Sequence, residues 1–358
     1  MVLQCGMDLH GKNVLCSLTD ENDKVVEERR LPTKLGDVLG FLEPHRESIA
    51  NIVVESTYNW YWLVDGLREE KYPVSLANPN AVKTYDGLKH GNDSGDARHL
   101  AHLSRLGVLP TGYIYPKEQR GLRDLLRRRM YLVQERTGLI LSLQSLCERV
   151  NGGKVAAEKF KHMKPEELME KIDDPNHRAG AVEYLEIVRR INQSIYRLET
   201  KVLTECKDTR QFELLNTIPG TGRILAMMIS LESGPMGRFA SAGNYASYAR
   251  TVNADRFSDG KKKGENNRKC GNKYLAWALV QAAHHLIQHC DEARSFYDRK
   301  KAKKNGAVAT KALACKLARC IYHMLTKEEA FDVKRIFGLR SPAAASMFWG
   351  WLITIRPD

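Results

Sequence analysis

The chain has 358 residues, of which 43% are hydrophobic and 28% are charged, and its formal net charge is +13. This length and composition allow ordinary cores and predict two or three packed units rather than one small core. The excess of positive charge favours a polyanionic partner, usually nucleic acid, over the alternative of a basic protein without such a partner. No apolar run approaches membrane-spanning length and the N-terminus opens directly into a predicted strand, so we expect a cytoplasmic protein that contacts no membrane.

Eight cysteines are scattered along the chain, and no two of them form a CxxC pair. Cys5, Cys147, Cys315 and Cys320 stand within the apolar patterns of strands or helices. This distribution predicts buried thiols in a reducing compartment rather than a disulfide framework or a zinc site.

The first third of the sequence alternates strand and helix patterns. Short apolar runs between polar turns predict strands, and apolar residues at helical spacing predict helices. The predicted strands cover 2–9, 13–19, 25–31, 51–55 and 72–77, and the predicted helices cover 35–42, 58–70 and a segment that starts at Asn78-Pro79. The order βββαβαβα, with the first and fourth strands adjacent and parallel, is that of a ribonuclease H-like domain.

From about residue 116 to 202 the pattern is wholly helical. Five apolar residues there repeat at alternating spacings of three and four, which is the seam of a coiled coil: Val188, Ile191, Ile195, Leu198 and Val202. The seam suits either a dimer contact or an antiparallel hairpin packed against residues 120–150. We therefore expect three parts, with boundaries at 1–112, 113–207 and 208–358.

Four carboxylates are expected to converge in the predicted order of strands. Asp8 stands inside an apolar strand, where a carboxylate is costly unless a cation compensates it. Glu55 ends the neighbouring strand, and Asp93 and Asp96 lie three residues apart where a polar run meets a helix. Together the four suit two magnesium ions that grip a phosphodiester. Taken singly, Asp93 is an ordinary helix N-cap and Glu55 a strand-end acid.

A glycine-rich turn near residue 220 suits contact with a phosphate backbone. The sequence Ile218-Pro219-Gly220-Thr221-Gly222 precedes an apolar helix and resembles a helix-hairpin-helix turn. Gly220 and Gly222 allow tight backbone turns whose amides can hold a DNA phosphate without reading sequence. The alternative is a plain turn between two helices.

Three clusters of basic residues also suit nucleic acid, although charge runs are commonly just solvated faces. The first is broken by glycine and asparagine, which predicts a mobile loop that closes on a phosphate backbone; it contains Lys261, Lys262, Lys263, Arg268, Lys269 and Lys273. The second runs from Arg299 to Lys304, and the third includes Arg127, Arg128 and Arg129.

The sequence resembles the DEDD-type insertion-sequence transposases in stretches that span most of the chain and follow the order seen in that family. They are CGMDLHGK, VVESTYNWY, LANPNAV, GNDSGDARHLA, IPGTGRILA, FSDGKKKG and KCGNKYLA. The resemblance implies an α/β plus α fold: a ribonuclease H-like (RuvC-like) DEDD domain, a helical coiled-coil connector and an α-helical C-terminal transposase domain with a helix-hairpin-helix-like turn.

The resemblance also implies an activity, the exchange of strands between donor and target DNA. The tetrad would be Asp8, Glu55, Asp93 and Asp96, binding Mg²⁺, and Ser258 would form a transient phosphoserine link to DNA. Family members are similar in using a noncoding bridge RNA and in working as dimers or tetramers that share active sites between subunits. The serine stretch departs from the family by reading SDG rather than SG; the nearest upstream serines, Ser241 and Ser247, belong to a predicted amphipathic helix.

Two other functions fit the same residues. A metal-dependent, junction-resolving nuclease would use the four carboxylates and leave Ser258 idle. A non-catalytic, basic nucleic-acid-binding protein would use the carboxylates as caps and structural acids. Metal dependence separates this binding protein from both enzymes, and a covalent protein–DNA adduct separates the transposase from the nuclease.

Overall fold

The computed structural model describes residues 1–83, 85, 93–207, 209–252, 255–265 and 270–338. The chain divides into two compact units. The first, the α/β unit, contains residues 1–118 together with 254–270. The second, the helical unit, contains residues 119–253 and the chain from 271 onward. The boundaries expected near residues 112 and 207 stay a prediction.

The described part of the α/β unit begins with alternating strands and helices: β1 (Leu3–Leu9), β2 (Asn13–Thr19), β3 (Val25–Pro32), α1 (Leu35–Leu42), β4 (Ile49–Glu55), α2 (Tyr61–Glu69), β5 (Val74–Ala77), α3 (Pro79–Val82), α4 (Asp93–Arg105) and β6 (Thr111–Gly112). The sheet order is β3-β2-β1-β4-β5-β6. β1 pairs antiparallel with β2 and parallel with β4. The predicted adjacency of the first and fourth strands is confirmed, as is the mixed α/β class of this region.

The two faces of the sheet follow from the alternation of side chains along each strand. The first face packs Leu3, Cys5 and Met7 of β1 into a core with residues of α1 and α2. The opposite face, lined by Val53 of β4 and Ala77 of β5, packs against Leu100 and Leu103 of α4. Gly6 and Asp8, which alternate with the first set, therefore belong to the face that α4 covers.

The regular elements of the described chain from residue 117 onward are helices apart from one hairpin. The elements are α5 (Lys117–Asn151), α6 (Ala157–His162), α7 (Pro165–Met169), α8 (Pro175–Cys206), α9 (Arg210–Asn216), α10 (Arg223–Ser233), α11 (Ala242–Tyr248), β7 (Asp255–Ser258), β8 (Lys261–Glu265), α12 (Lys273–His289), α13 (Asp291–Lys303), α14 (Gly306–Lys327) and α15 (Val333–Phe337). This confirms the α/β plus α class expected from the sequence.

Three of the five residues in the predicted coiled-coil seam on α8 are buried within the chain, namely Val188, Ile195 and Val202. Val188 is buried in one core with Ile140 and Leu143 of α5, and Val202 is buried in another that includes Leu126 of α5. Polar links join the same two helices, since Arg136 donates to Asn192 at 2.7 Å and Arg129 donates to Glu199 at 2.7 Å. Val188 and Val202 therefore pack against α5 of the same chain, and a dimer contact through the rest of the seam stays a prediction.

The segment expected to be a mobile basic loop is instead a β-hairpin over its described part. β7 pairs antiparallel with β8, and Ser258 stands opposite Lys261 across a two-residue turn. Both turn residues have positive φ, 53° at Asp259 and 66° at Gly260. Asp-Gly at two such positions is a strong hairpin signal, because it matches the twist of the flanking strands.

All eight cysteines are free thiols, and five of them are buried. Burial raises the pKa of the Cys16 thiol to about 12 and raises the pKa of Cys5 as well. These thiols are therefore kept in their neutral form, as expected of packing residues. None of the described helices combines the length and hydropathy needed to span a membrane.

Candidate active site

Helix α4 is seated on the sheet through a glycine in β1. A Cβ on Gly6 would lie 1.8 Å from the carbonyl oxygen of Ala97 and 3.0 Å from the backbone nitrogen of Ala101. The backbones of strand and helix are thus in direct contact, which no side chain at residue 6 permits. This contact fixes the start of α4 beside the end of β1 that carries Asp8.

Hydrogen bonds and ion pairs hold the rest of α4 in place. Arg98 donates two hydrogen bonds to the carboxylate of Glu28, at 2.7 and 2.9 Å. Arg105 and His102 both contact Asp23 in the turn before β3. Burial alone would raise the pKa of Asp23, but its hydrogen bonds with Arg105 and His102 hold that pKa below its ordinary value. The helix that carries two of the four candidate carboxylates is therefore fixed at several points along its length.

The carboxylates of β1 and β4 lie on the face that α4 covers. Asp8 is only 3% exposed, so its carboxylate is buried among the apolar residues of β1. The parallel register pairs Met7 of β1 with Val54 of β4. Asp8 and Glu55 are the next residues of these two strands, so they are neighbours at the same end of the sheet. Glu55 shares its face of β4 with Val53. The predicted approach of these two carboxylates is consistent with this register.

The second pair of carboxylates comes from the first turn of α4. The helix begins at Asp93, and the half-buried Asp96 immediately precedes Ala97, the residue that contacts Gly6. The side chain of Asp93 lies outside the described structure. Among the described side chains, no three His, Cys, Asp or Glu residues stand close enough to hold a metal ion. Asp8, Glu55 and the start of α4 thus share one face of the sheet.

His10 is a neighbour of this site that sequence reasoning missed. Its Nε2 lies 3.1 Å from Oδ2 of Asp8. Its carbonyl oxygen accepts a hydrogen bond from the Asn59 side chain at 3.1 Å, which ties the chain after β1 to the chain after β4. The signal was available, because residues two apart on an extended chain point the same way.

Ser258 is exposed at the tip of the β7–β8 hairpin. This hairpin groups with residues 1–118 in the α/β unit, although more than 130 residues of the helical unit separate the two segments in sequence. The alternative serines have structural positions. Ser241 caps α11 by accepting a hydrogen bond from the Asn244 amide, and Ser247 lies within the same helix.

The two glycines of the turn before α10 have different surroundings, since one is packed against another helix and the other is exposed. Gly220 has a φ of +75°, and a Cβ there would lie 2.5 Å from the ring of His289 and 2.9 Å from the carbonyl oxygen of His285. Gly220 therefore allows the turn to pack against α12. Gly222 is exposed and precedes the first turn of α10, which has no side-chain cap. Of the two, Gly222 marks amides that a phosphate could reach.

The basic residues predicted for nucleic acid have different surroundings. Lys261, Lys263 and Lys273 are exposed, whereas the side chain of Lys262 and all of Arg268 and Lys269 lie outside the described structure. Arg127 donates two hydrogen bonds to the buried Glu232, and Arg129 pairs with Glu199, while Arg128 between them is exposed. A nucleic-acid role for Arg127 and Arg129 stays a prediction, and their contacts in this chain are internal.

Two models of known protein families match this chain. A family model for DEDD transposases of the IS110 type, described as "Transposase", matches residues 5–151. A second model, described as "Transposase IS116/IS110/IS902 family", matches residues 212–298. No curated protein matches the chain. The first match contains Asp8, Glu55, Asp93 and Asp96, and the second contains the glycine-rich turn and Ser258. The chain therefore belongs to the DEDD-type IS110 family of transposases.

Proposed function

We propose that this transposase exchanges DNA strands through a phosphoserine intermediate on Ser258, at a site where Asp8, Glu55, Asp93 and Asp96 hold magnesium ions. The observation that carries the proposal is the grouping of the Ser258 hairpin with the strands and helix that bear the four carboxylates, in one compact unit. A nucleophile and a metal-binding site must come together for this chemistry, and among the described residues after 118 this hairpin is the part that belongs to the α/β unit.

The α/β unit is, in this proposal, a ribonuclease H-like domain. Support comes from its three antiparallel strands followed by two parallel ones, with β4 beside β1. In this arrangement the central strand carries one carboxylate, its parallel neighbour carries the second and a helix on the same face carries the rest. Asp8, Glu55 and the Asp93–Asp96 turn of α4 occupy these three places.

The residues present fit a hard divalent cation. All four candidate ligands are carboxylates, which Mg²⁺ prefers, and the buried position of Asp8 is one where a nearby cation offsets the cost of desolvation. When bound, magnesium would neutralise charge on the phosphate oxygens and make a hydroxyl easier to deprotonate. Asp8 and Glu55 belong to neighbouring strands, and the contact with Gly6 fixes α4 on the sheet. The backbone positions of these carboxylates are therefore restricted before a cation binds.

Ser258 then performs a transesterification. Its Oγ forms a bond to phosphorus, the bond from phosphorus to a deoxyribose oxygen breaks, the serine proton is lost and the leaving oxygen is protonated. In the second step a hydroxyl of another strand attacks the same phosphorus and loses its proton, while the bond from phosphorus to Ser258 Oγ breaks and Ser258 regains a proton. The number of phosphate ester bonds is unchanged in each step, so the exchange needs no external source of energy.

The proposed partners are donor DNA, target DNA and a noncoding bridge RNA, bound by a dimer or tetramer. Support comes from the net charge of +13 and from exposed cations, namely Lys261 and Lys263 on the serine hairpin, Lys273 at the start of α12 and Arg128 on α5. The uncapped first turn of α10 after Gly222 adds backbone amides. Deep sequencing of nucleic acid that copurifies with the protein tests the RNA, since a bridge RNA must be recovered as one defined species.

The central experiment is Ser258→Ala, with Ser247→Ala as the matched control because Ser247 is an exposed serine inside α11. The probe is a DNA fragment that carries the gene for this chain with its own flanking sequences. We expect Ser258→Ala to bind this DNA normally but to form no denaturant-stable protein–DNA adduct and no recombinant product. Peptide mapping of the wild-type adduct must find the nucleotide on Ser258. Cleavage by the alanine variant at the wild-type rate would establish the junction-resolving nuclease instead.

A further inference from the structure

A highly exposed tyrosine stands at the edge of the sheet that carries the acidic site. Tyr58 is 87% exposed, the highest fraction among the described large hydrophobic side chains. It lies in the turn between β4 and α2, three residues after Glu55. A Cβ on Gly11, three residues after Asp8, would lie 3.2 Å from the hydroxyl of Tyr58. The side chain of Tyr58 therefore extends from the segment after β4 to the segment after β1, the two strands that carry these carboxylates.

The turn that carries Tyr58 is held on both sides of the exposed ring. The Asn59 side chain donates a hydrogen bond to the carbonyl oxygen of His10 at 3.1 Å and accepts one from the Thr57 hydroxyl at 2.9 Å. Trp60 is buried in the core that α1 and α2 form with the sheet. The neighbours of Tyr58 thus fix its backbone, while its own ring stays in solvent.

Single exposed hydrophobic residues are common on protein surfaces, so exposure alone assigns no role to Tyr58. What distinguishes this ring is its surroundings. Gly11, beside its hydroxyl, is exposed and stands between the exposed His10 and Lys12. A protein partner typically covers a contiguous apolar patch, whereas these neighbours are polar and basic. An aromatic face beside a cation is the combination that binds single-stranded nucleic acid, because the ring stacks on a base while the cation contacts the backbone.

Strand exchange gives such a ring a task. A strand passes from donor to target only when the bases beside its scissile phosphate leave their partners, and unstacking and unpairing a base cost free energy. Stacking on an aromatic side chain offsets part of that cost and tolerates any base, since every base has a π-face. A phosphate held at Asp8 and Glu55 brings the adjoining nucleoside to the edge of the sheet where Tyr58 stands.

We propose that Tyr58 is a stacking platform for the DNA base next to the cleaved phosphate, and that Lys12 contacts the backbone of the same strand. The inference rests on the proposed function, because that function places the cleaved strand over Asp8 and Glu55. It adds a residue that holds a base to a site whose other residues act on the phosphate. Since stacking tolerates any base, Tyr58 contributes affinity and placement rather than sequence specificity.

The decisive comparison is between Tyr58→Leu and Tyr58→Phe. Leucine keeps an apolar side chain without a π-face, whereas phenylalanine keeps the ring and loses only the hydroxyl. The matched control is Tyr196→Leu, at a tyrosine of α8 that is 71% exposed. Because both tyrosines are exposed, all three variants should unfold at the same urea concentration as the wild type. A change in DNA binding is then not a change in folding.

The first measurement identifies the contact without requiring cleavage. Single-stranded oligonucleotides that cover both ends of the DNA fragment described above, with iododeoxyuridine in place of thymidine, are bound to the full-length protein and irradiated. Irradiation links the iodinated base to an aromatic ring stacked on it. Peptide mapping of the wild type should find a crosslink on Tyr58. A crosslink at the same position should persist in Tyr58→Phe and be lost in Tyr58→Leu.

The second measurement separates stacking from charge. We expect Tyr58→Leu to weaken binding of these oligonucleotides by roughly tenfold. The slope of log affinity against log salt should stay unchanged in this variant, because a neutral ring displaces no condensed counterions. Lys12→Gln should instead reduce that slope by about 0.7, the value for one contact to a single strand. Tyr58→Phe and Tyr196→Leu should match the wild type in affinity and slope, measured by fluorescence anisotropy.

Equal affinity and crosslinking of Tyr58→Leu and the wild type would overturn the proposal, as would an equal loss of affinity in Tyr58→Leu and Tyr58→Phe. A change of oligomeric state in Tyr58→Leu, seen by light scattering with unchanged DNA binding, would assign the ring to a protein contact and equally overturn it. The proposed function fails separately, when the wild-type adduct maps to a residue other than Ser258. The crosslink is formed on uncleaved DNA, so it tests the base contact whether or not an adduct forms.

Discussion

Gly6 of β1 and Ala97 of α4 are in backbone contact, and a Cβ on residue 6 would stand 1.8 Å from the carbonyl oxygen of Ala97. This contact determines how close the helix with Asp96 lies to the strand with Asp8. Even the methyl group of alanine does not fit at residue 6, because the atoms in the way belong to the helix backbone and cannot rotate aside.

The first prediction follows from this contact. Gly6→Ala must push α4 away from the sheet, and we expect the free energy of unfolding to fall by at least about 2 kcal/mol. The matched control is Gly40→Ala in α1, where nothing lies within 4 Å of the added methyl group, so stability should rise slightly. Urea titration followed by circular dichroism checks both variants. Equal stability of Gly6→Ala and wild type would contradict a direct backbone contact between residue 6 and α4.

The second prediction concerns the acidic site. We expect Asp8→Asn and Asp96→Asn to abolish strand cleavage while fold and DNA affinity are kept, because the amide has nearly the same shape but loses the charge that a cation needs. Asp37→Asn, at an exposed carboxylate in the first turn of α1, is the control. Thermal melting with and without MgCl₂ gives a readout apart from activity, since a cation that binds only the folded chain raises the melting temperature. An equal magnesium-dependent shift in Asp8→Asn and wild type would remove Asp8 from the metal site.

The third prediction concerns the serine hairpin and salt. Replacing Lys261, Lys262 and Lys263 by glutamine should reduce the slope of log affinity against log salt by at most about three, because each phosphate contact releases condensed counterions. The control replaces three lysines that already pair with carboxylates of the chain, namely Lys117, Lys161 and Lys201. Fluorescence anisotropy at several salt concentrations measures both slopes. A slope unchanged by the hairpin substitutions means that the hairpin contacts no phosphates.

The fourth prediction concerns the α5–α8 hairpin. Val188 is fully buried, while the adjacent Ile187 is 45% exposed. Val188→Ala should lower the free energy of unfolding by about 2 kcal/mol, and Ile187→Ala should change it by less than about 0.5 kcal/mol. Urea unfolding at two protein concentrations, with light scattering, checks this. A Val188→Ala effect that depends on protein concentration would assign the seam to a contact between subunits.

The fifth prediction concerns acid stability. Burial, together with Lys327 and Arg335, lowers the pKa of His323 in α14 to about 4 from the ordinary 6.5. The unfolded chain therefore binds more protons than the folded one between these values, so stability falls as the pH drops from about 6.5 to about 4. His323→Gln should lose less stability than wild type over this window. The urea concentrations at the midpoint of unfolding, measured at pH 7 and pH 4.5, test this prediction. If both proteins lose the same stability between these pH values, His323 is not the group responsible.

Much of the α/β unit could be predicted from sequence, because alternation and strand-ending carboxylates are local signals. The bounds of β2 match the prediction, and the parallel pairing of β1 with β4 follows from strand order. The hairpin of Ser258 was missed because its basic residues and glycines suggested mobility, although Asp259-Gly260 is a turn signal. The partners of Arg127 and Arg129 could not be predicted, since Glu232 and Glu199 lie 105 and 70 residues away in sequence.

The return of residues 254–270 to the unit formed by residues 1–118 has a consequence during synthesis. Ribosomes add roughly 5–20 residues per second, and domains tend to fold as they emerge. The strands with Asp8 and Glu55 therefore leave the ribosome roughly 10–40 s before the hairpin with Ser258. A nascent or prematurely terminated chain carries the carboxylates without the serine. In the proposed mechanism such a chain cannot make a covalent bond to the DNA of its host, so only a chain extended past Ser258 acquires that capacity.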